Sequence, residues 1–257
     1  MSALIFDCDG VLADTELDGH LVAFNETFDH FGLPFQWSRD EYDRLLAVGG
    51  GKERFIAYIK ENPELEEDLP EPLDEFVLKI HAEKSRRYID RVEGGLLPGR
   101  PGVARLITEA LDAGWEVAVA STSAVKSVEA VLSAVIGPET RERLAGVWAG
   151  DMVPKKKPAP DIYLMAIEGV GVDPDRVVVV EDSNTGAKAA AAAEVRYLVT
   201  LSTFTVNEEF PKATTVVSDL GEPGSPASLR EGEDVLDDGM ITVESLEKIL
   251  ARPIPAQ

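Results

Sequence analysis

Apolar positions near the start of the chain fall into two periods. Leu4, Ile5 and Phe6 form a short continuous run that stops at Asp7, which predicts a brief buried strand. From Glu16 to Phe31 the apolar residues Leu17, Leu21, Phe24, Phe28 and Phe31 recur at offsets of four, three, four and three. That is one helical stripe, ended by Gly32 and Pro34. Further helical patterns at 39–47, 51–61 and 72–92 make the whole of 17–93 read as helix, with no strand in it.

The pattern changes at Leu97-Pro98-Gly99-Arg100-Pro101-Gly102. A helix runs from there to Ala113, Gly114 stops it, and WEVAVAS reads as a second strand. A helix at about 125–135 leads to the apolar VWAG, and another helix opens at Pro160. RVVVVEDS is continuous and apolar, as suits a central parallel strand covered on both faces. A small-residue helix around Ala187–Ala193 and the strands RYLVT and TTVVS continue the alternation. Strands separated by helices predict an α/β fold with a doubly wound parallel sheet. The expected division is a core of residues 1–16 and 94–257 with an inserted α-helical cap at 17–93. Residues 219–241 read as a polar, partly mobile loop, with a short helix after Thr242.

Ligands in such a sheet sit beyond the carboxyl ends of the strands. Four segments are expected at that edge: Asp7-Cys8-Asp9, Ser121, Lys157 and Glu181-Asp182. Side chains two apart on a strand point the same way, so Asp7 and Asp9 can face one crevice, with Asp182 joining them and Glu181 behind. Neighbouring carboxylates repel unless a cation lies between them or one holds a proton. A cluster of hard oxygen ligands beside a phosphate site suits Mg²⁺. The competing structural reading is an Asp-Gly turn whose aspartates only cap a loop. Lys155 and Lys156 read as a solvated surface run, whereas prolines 158 and 160 would hold Lys157 inward.

Charge narrows the partners. A formal net charge of −22 argues against nucleic acid, whose backbone calls for cations. If the substrate is an anion, the few basic residues must gather where it binds. Those that can gather are Lys52 and Arg54 in GGGKER (49–54), His81 and Lys84 on one helix face, and Arg100 at the junction between cap and core. They exceed what one transferred phosphate needs, so a second phosphate is the economical explanation. A glycine hinge before an ordinary charged helix is the alternative for GGGKER. No apolar run of roughly eighteen residues is present, and Met1 leads directly into a strand, which argues against a membrane span or secretory signal. The single cysteine, Cys8, excludes an intramolecular disulfide and reads as a packed, inert thiol in a reducing compartment. The cytoplasm, or the plastid stroma of a photosynthetic eukaryote, is the expected location, and a monomer the expected state.

Taken in order, DxD at Asp7 and Asp9, Ser121, Lys157 and Glu181-Asp182 resemble the four motifs of the haloacid dehalogenase superfamily of phosphotransferases, over about residues 3–200. The resemblance implies Asp7 as nucleophile, Asp9 as general acid and base, Ser121 on the phosphoryl oxygens and Lys157 balancing charge. Mg²⁺ would be held by Asp7, the backbone carbonyl of Asp9 and the acidic pair Glu181-Asp182. The dehalogenase branch lacks the second aspartate. FNETF, GGGKER, IHAEK, WAGDMV, KKKPAPDIY and EDSNTG further resemble the CbbY-type members, phosphatases of xylulose 1,5-bisphosphate. That likeness implies sugar bisphosphate contacts from Glu16, His20, Tyr42, Gly50, Gly51, Lys52, Glu53, Arg54, His81, Lys84, Arg100, Thr122 and Ser123, besides Ser121 and Lys157. STSA departs from the longer threonine run of that group, and the last 40 or so residues match nothing in it. A β-phosphoglucomutase, a phosphatase of another sugar phosphate and a non-catalytic phosphosugar sensor are the alternative functions. Retention of Asp7, Asp9, Lys157 and Asp182 together opposes the sensor.

Overall fold

The computed structural model describes residues 1–48 and 50–254. Short runs of valine, alanine and isoleucine build the sheet, because β-branched and small apolar side chains pack on a pleat covered from both sides. Its strands are β1 (Ala3–Phe6), β2 (Glu116–Ala120), β3 (Gly146–Trp148), β4 (Val177–Glu181), β5 (Arg196–Thr200), β6 (Thr215–Val217) and β7 (Leu229–Gly232). They lie in the order β3-β2-β1-β4-β5-β6-β7. All neighbours are parallel except β6 and β7. Phe6 is in register with Val119 on one side and Val180 on the other, so β1, β2 and β4 end level with one another.

The helices are α1 (Val22–Phe31), α2 (Arg39–Leu45), α3 (Gly51–Glu61), α4 (Leu73–Glu93), α5 (Val103–Asp112), α6 (Val125–Glu142), α7 (Asp161–Val170), α8 (Asn184–Ala192) and α9 (Val243–Leu250). Alternate strand residues Ala3, Ile5, Ala118, Ala120, Val177, Val179, Tyr197 and Val199 pack with α7 and α8. The intervening residues face the other way, the side on which α5 packs on β2, and α9 on β4 and β5. The doubly wound α/β architecture expected from the alternation is therefore present.

The chain divides into two compact units, Met1–Asp14 with Pro98–Gln257, and Thr15–Leu97. The second is helical and has an aromatic core of its own. Phe24, Phe28, Trp37, Tyr42, Phe55 and Phe76 are almost wholly buried, and the Phe24 and Trp37 rings lie 4.7 Å apart. Its first helix differs from the single stripe expected: Thr15–Leu21 is a π-helical turn, and the regular α-helix starts at Val22. The wider turn rotates Leu17 partly out of the core while Leu21, Phe24 and Phe28 stay in it.

Two other expectations are corrected. The helix expected at about 125–135 continues to Glu142 through a break at Gly137 (φ 74°), which lets a second stretch begin at Pro138. Residues 219–241 are not a featureless loop. They contain β7, bury Leu220, Ala227, Val235 and Ile241, and are tied down by Arg105. That guanidinium donates to the carbonyls of Leu220 (2.8 Å), Gly221 (3.0 Å) and Ile241 (2.9 Å). The helix after Thr242 is α9, and the Thr242 hydroxyl caps it by accepting from the Ser245 N–H. Among the described residues no helix is long and apolar enough to cross a membrane.

Candidate active site

The site grows from the ends of the three central strands. The Asp7 N–H donates to Val180 O at 2.9 Å, which carries β1 one residue beyond its last strand position. The chain then turns tightly: Leu12 N–H donates to Cys8 O, and Gly10 N–H to Ala13 O, both at 2.9 Å. Gly10 has φ +76°, and a Cβ there would lie 1.9 Å from Asp182 Oδ2. Glycine is needed for both reasons, the left-handed backbone and the close approach to a carboxylate. Gly10→Ala is expected to cost about 1–3 kcal/mol of stability and to lower turnover by displacing Asp182, measured by urea unfolding beside a steady-state assay.

Lys157 reaches this loop from the segment before α7. Its ammonium donates to Asp7 Oδ1 at 2.6 Å, Glu181 Oε1 at 2.7 Å and Tyr163 Oη at 2.9 Å. The Tyr163 hydroxyl donates in turn to Glu181, and Asp182 N–H donates to Glu181 Oε2 at 3.1 Å. Glu181 has no exposed surface. Both its oxygens are engaged, and a Cβ on Gly186 would lie about 2 Å from its carboxylate, so it braces Lys157 and the start of α8. Ser202, just past β5, draws the Asp182 carboxyl down.

Asp7, Glu181 and Asp182 each offer an oxygen within 4.8 Å of the others, all buried. Burial pushes the Asp7 carboxyl up, Lys157 draws it down, and Glu181 and Asp9 raise it again, to about 7. Burial, then Glu181 and Asp7, hold Asp182 well above the usual carboxylate range. Burial opposes the charge on Lys157, but Asp7 and Glu181 outweigh it and its ammonium is held above the usual lysine range. One ammonium among three buried carboxylates leaves an excess of negative charge on hard oxygen donors. That donor set fits a small divalent cation such as Mg²⁺. Cys8 is buried, and its thiol is pushed up by burial and by Asp9 and Asp7, in keeping with the inert packing expected of it.

Ser121 follows β2 directly and is 1 % exposed. Its N–H donates to Trp148 O at 2.9 Å and its hydroxyl accepts from Ser123 N–H at 3.1 Å. The Ser123 hydroxyl donates to the Asp9 carboxylate. Ser123, expected at the sugar, thus orients the second aspartate, and Thr122 lies half-buried between the two serines. Arg100 requires a correction. Its guanidinium does not present a fork to a phosphate; it donates to Gly10 O, Thr200 O (3.2 Å), Thr200 Oγ1 (2.9 Å), Leu201 O (2.6 Å) and Ser218 O (2.9 Å). Its N–H groups are turned to protein carbonyls.

In the helical unit, Glu16, His20, Tyr42, Gly51, Arg54, His81 and Lys84 form one neighbourhood. Arg54 Nη1 donates to Tyr42 Oη at 2.6 Å, and that hydroxyl donates to Glu16 Oε2 at 2.5 Å. Lys84 Nζ and His20 Nδ1 are 2.9 Å apart, with the ammonium 5.0 Å from the Phe24 ring centroid. Burial, then Lys84, Arg54 and His81, hold the His20 imidazole well below its ordinary value; it stays neutral and accepts from Lys84. His81 is lowered by burial, Lys84 and Lys52. A Cβ on Gly51 would lie 3.3 Å from the His81 ring, which explains a glycine at the start of α3. Gly50 is exposed with φ 92°, and the Glu53 carboxylate folds back toward it. Lys52 is half-buried and Glu53 exposed. Gly49, the first glycine of GGGKER, lies outside the described residues.

Two site residues escaped the sequence reading. Tyr163 had a usable signal: it falls six residues after Lys157, on the face of α7 turned to the sheet. Ser202 had none, since it stands just past β5 in an irregular segment.

A carboxylate held by a buried lysine, a second acid two residues on, a serine at the next strand end and an acidic pair beside them define a class. In a doubly wound fold, these are the parts of a phosphatase. The family model for haloacid dehalogenase-like hydrolases matches residues 1–194, and the chain belongs to that family, within its CbbY-type group. A CBBY-like protein from Arabidopsis thaliana is 47 % identical over 86 % of this chain and 70 % of its own. The plasmid-encoded CbbY of Cupriavidus necator is 42 % identical over 88 % of each. Among solved structures, an Asp-to-Asn variant of CbbY from Rhodobacter sphaeroides in complex with xylulose 1,5-bisphosphate is 38 % identical. The match covers 87 % of this chain and 96 % of that one, with a TM-score of 0.71.

Proposed function

We propose that this protein is a Mg²⁺-dependent phosphatase of a small sugar bisphosphate, converting xylulose 1,5-bisphosphate to xylulose 5-phosphate through an aspartyl-phosphate. The observation that carries this reading is Asp7 paired at 2.6 Å with Lys157, two residues before an Asp9 held by Ser123. The free oxygen of Asp7 attacks phosphorus, and the sugar oxygen leaves. Asp9 gives that oxygen its proton, then takes a proton from the water that hydrolyses the acyl phosphate. Ser121 steadies a phosphoryl oxygen, and Lys157 offsets the charge that accumulates on Asp7 and the phosphate. Mg²⁺ would be held by Asp7, the Asp9 carbonyl and Asp182, with Glu181 bracing Lys157 beside them. When bound, it neutralises the meeting of two anions and polarises the phosphorus.

Residues 15–97 are read as the substrate-selecting cap. Its buried Arg54 and Lys84, with Lys52, concentrate positive charge in a protein of net −22, as recognition of a non-reacting phosphate requires, and the neutral His20 and His81 lie among them. The bisphosphate held by the Rhodobacter sphaeroides relative supports the same choice. Lys52→Ala is expected to raise KM for bisphosphates about tenfold, roughly 1.4 kcal/mol, with kcat and monophosphate KM little changed.

Phosphate release with Mg²⁺ across xylulose 1,5-, ribulose 1,5- and fructose 1,6-bisphosphates, β-glucose 1-phosphate and several monophosphates tests the reading. A kcat/KM at least about a hundredfold in favour of xylulose 1,5-bisphosphate, roughly 2.7 kcal/mol, is expected. A flat profile would discard the substrate, and isomerisation of glucose 1-phosphate without net release would make the protein a mutase.

A further inference from the structure

Arg100 touches nothing that reacts, yet it joins three segments at the carboxyl edge of the sheet. Its Nη1 donates to the carbonyl of Gly10 in the nucleophile loop and to Thr200 at the end of β5. Its Nη2 donates to Leu201, just past β5, and to Ser218, just past β6. Its own N–H donates to Leu12 O at 2.9 Å. A planar guanidinium can reach carbonyls on several sides at once; a lysine ammonium on a flexible stem cannot reproduce that span.

Two of those segments lead to the same carboxylate. Gly10 packs so closely on Asp182 that a Cβ would overlap Oδ2. Leu201 precedes Ser202, which draws the Asp182 carboxyl down and whose N–H is anchored by Thr205 Oγ1 at 2.9 Å. The backbone that packs against Asp182 and the segment that carries Ser202 are thus both tied to one arginine. We infer that Arg100 is a positioning residue that holds Asp182 in the orientation in which it receives the divalent cation. The inference rests on the reading of Asp182 as a Mg²⁺ ligand, and assigns Arg100 to the metal's surroundings rather than to the sugar phosphate. Partners that orient a ligand in this way commonly change metal affinity or activity by roughly ten- to a hundredfold when removed.

The test titrates Mg²⁺ calorimetrically into the full-length parent, Arg100→Lys, Ser202→Ala and Thr200→Val, with thermal melts and steady-state kinetics on each. For Arg100→Lys a Mg²⁺ Kd about tenfold weaker is expected, with kcat lowered and KM for the sugar phosphate within about twofold. Ser202→Ala and Thr200→Val should shift Kd the same way by less. If Arg100→Lys fails to fold, Thr200→Val decides, because it deletes one acceptor and leaves the arginine in place. Variants whose Mg²⁺ Kd matches the parent while only melting changes would overturn the inference, as would a KM effect confined to bisphosphates. A parent that binds no Mg²⁺ would sink the metal reading and this inference with it.

Discussion

Asp7→Asn is expected to lower kcat by about 10⁴-fold or more, the scale of losing a nucleophile, while far-UV circular dichroism stays that of the parent. The amide keeps the shape of the side chain, and Lys157 keeps its bonds to Glu181 and Tyr163. Stability should move the other way. With Asp7 raised from 3.8 to about 7 in the folded, metal-free protein, the native state holds a proton that the unfolded chain has released between those values. That contribution is fully present below about 4 and is lost as pH rises through about 7. Asparagine cannot ionise, so at pH 8 without metal the variant should melt at or above the parent. Added Mg²⁺ should then stabilise the parent more than the variant. Hydrolysis at the parent's rate would remove Asp7 from the nucleophile's role.

Lys157→Met carries the second large effect, and it falls on folding as well as turnover. The ammonium is 7 % exposed and lies between two carboxylates. Removing one member of such a buried set costs about 3–5 kcal/mol, because the remaining charges are left uncompensated. Asp7, Glu181 and Asp182 would then repel one another without a fixed cation, and Asp7 would rise further. The deficit should therefore widen with rising pH and shrink in acid, where Asp7 and Asp182 take up protons. Urea unfolding at pH 5.5 and pH 8 reads it directly. Turnover should fall by roughly two to three powers of ten, the usual cost of losing one fixed charge at the reacting centre. A variant as stable as the parent at both values would mean that Lys157 does not hold the cluster together.

Much of this site was legible because strand ends are legible. Four consecutive valines before Glu181-Asp182 and a three-residue apolar run before Asp7 gave both position and direction, and the alternation of elements brought them to one edge. What stayed hidden depends on where a donor points. Arg100 carries the charge a phosphate clamp needs, but a sequence does not show that its N–H groups already have carbonyl partners in three loops. Ser123 could be placed near the site from its distance to Ser121, yet its bond to Asp9 is a matter of rotamer. In the tail the apolar residues that anchor it, Leu220, Ala227, Val235 and Ile241, are too unevenly spaced to form a period. Anchorage there comes from Arg105 across a large sequence separation. The π-helical turn at Thr15–Leu21 likewise leaves no mark in a pattern that tolerates small changes of pitch.

That tail also settles how the sheet meets its neighbours in a crowded solution. Had the sheet ended at β6, the buried Thr215, Val216 and Val217 would have formed an open, apolar flank, a template for any passing unpaired strand. β7 takes that flank instead, running antiparallel with all four residues exposed and Arg230 and Glu231 side by side on it. Its short length and mixed charge make a poor seam for a further strand. The least conspicuous part of the sequence therefore acts as a guard rail against sheet-to-sheet aggregation.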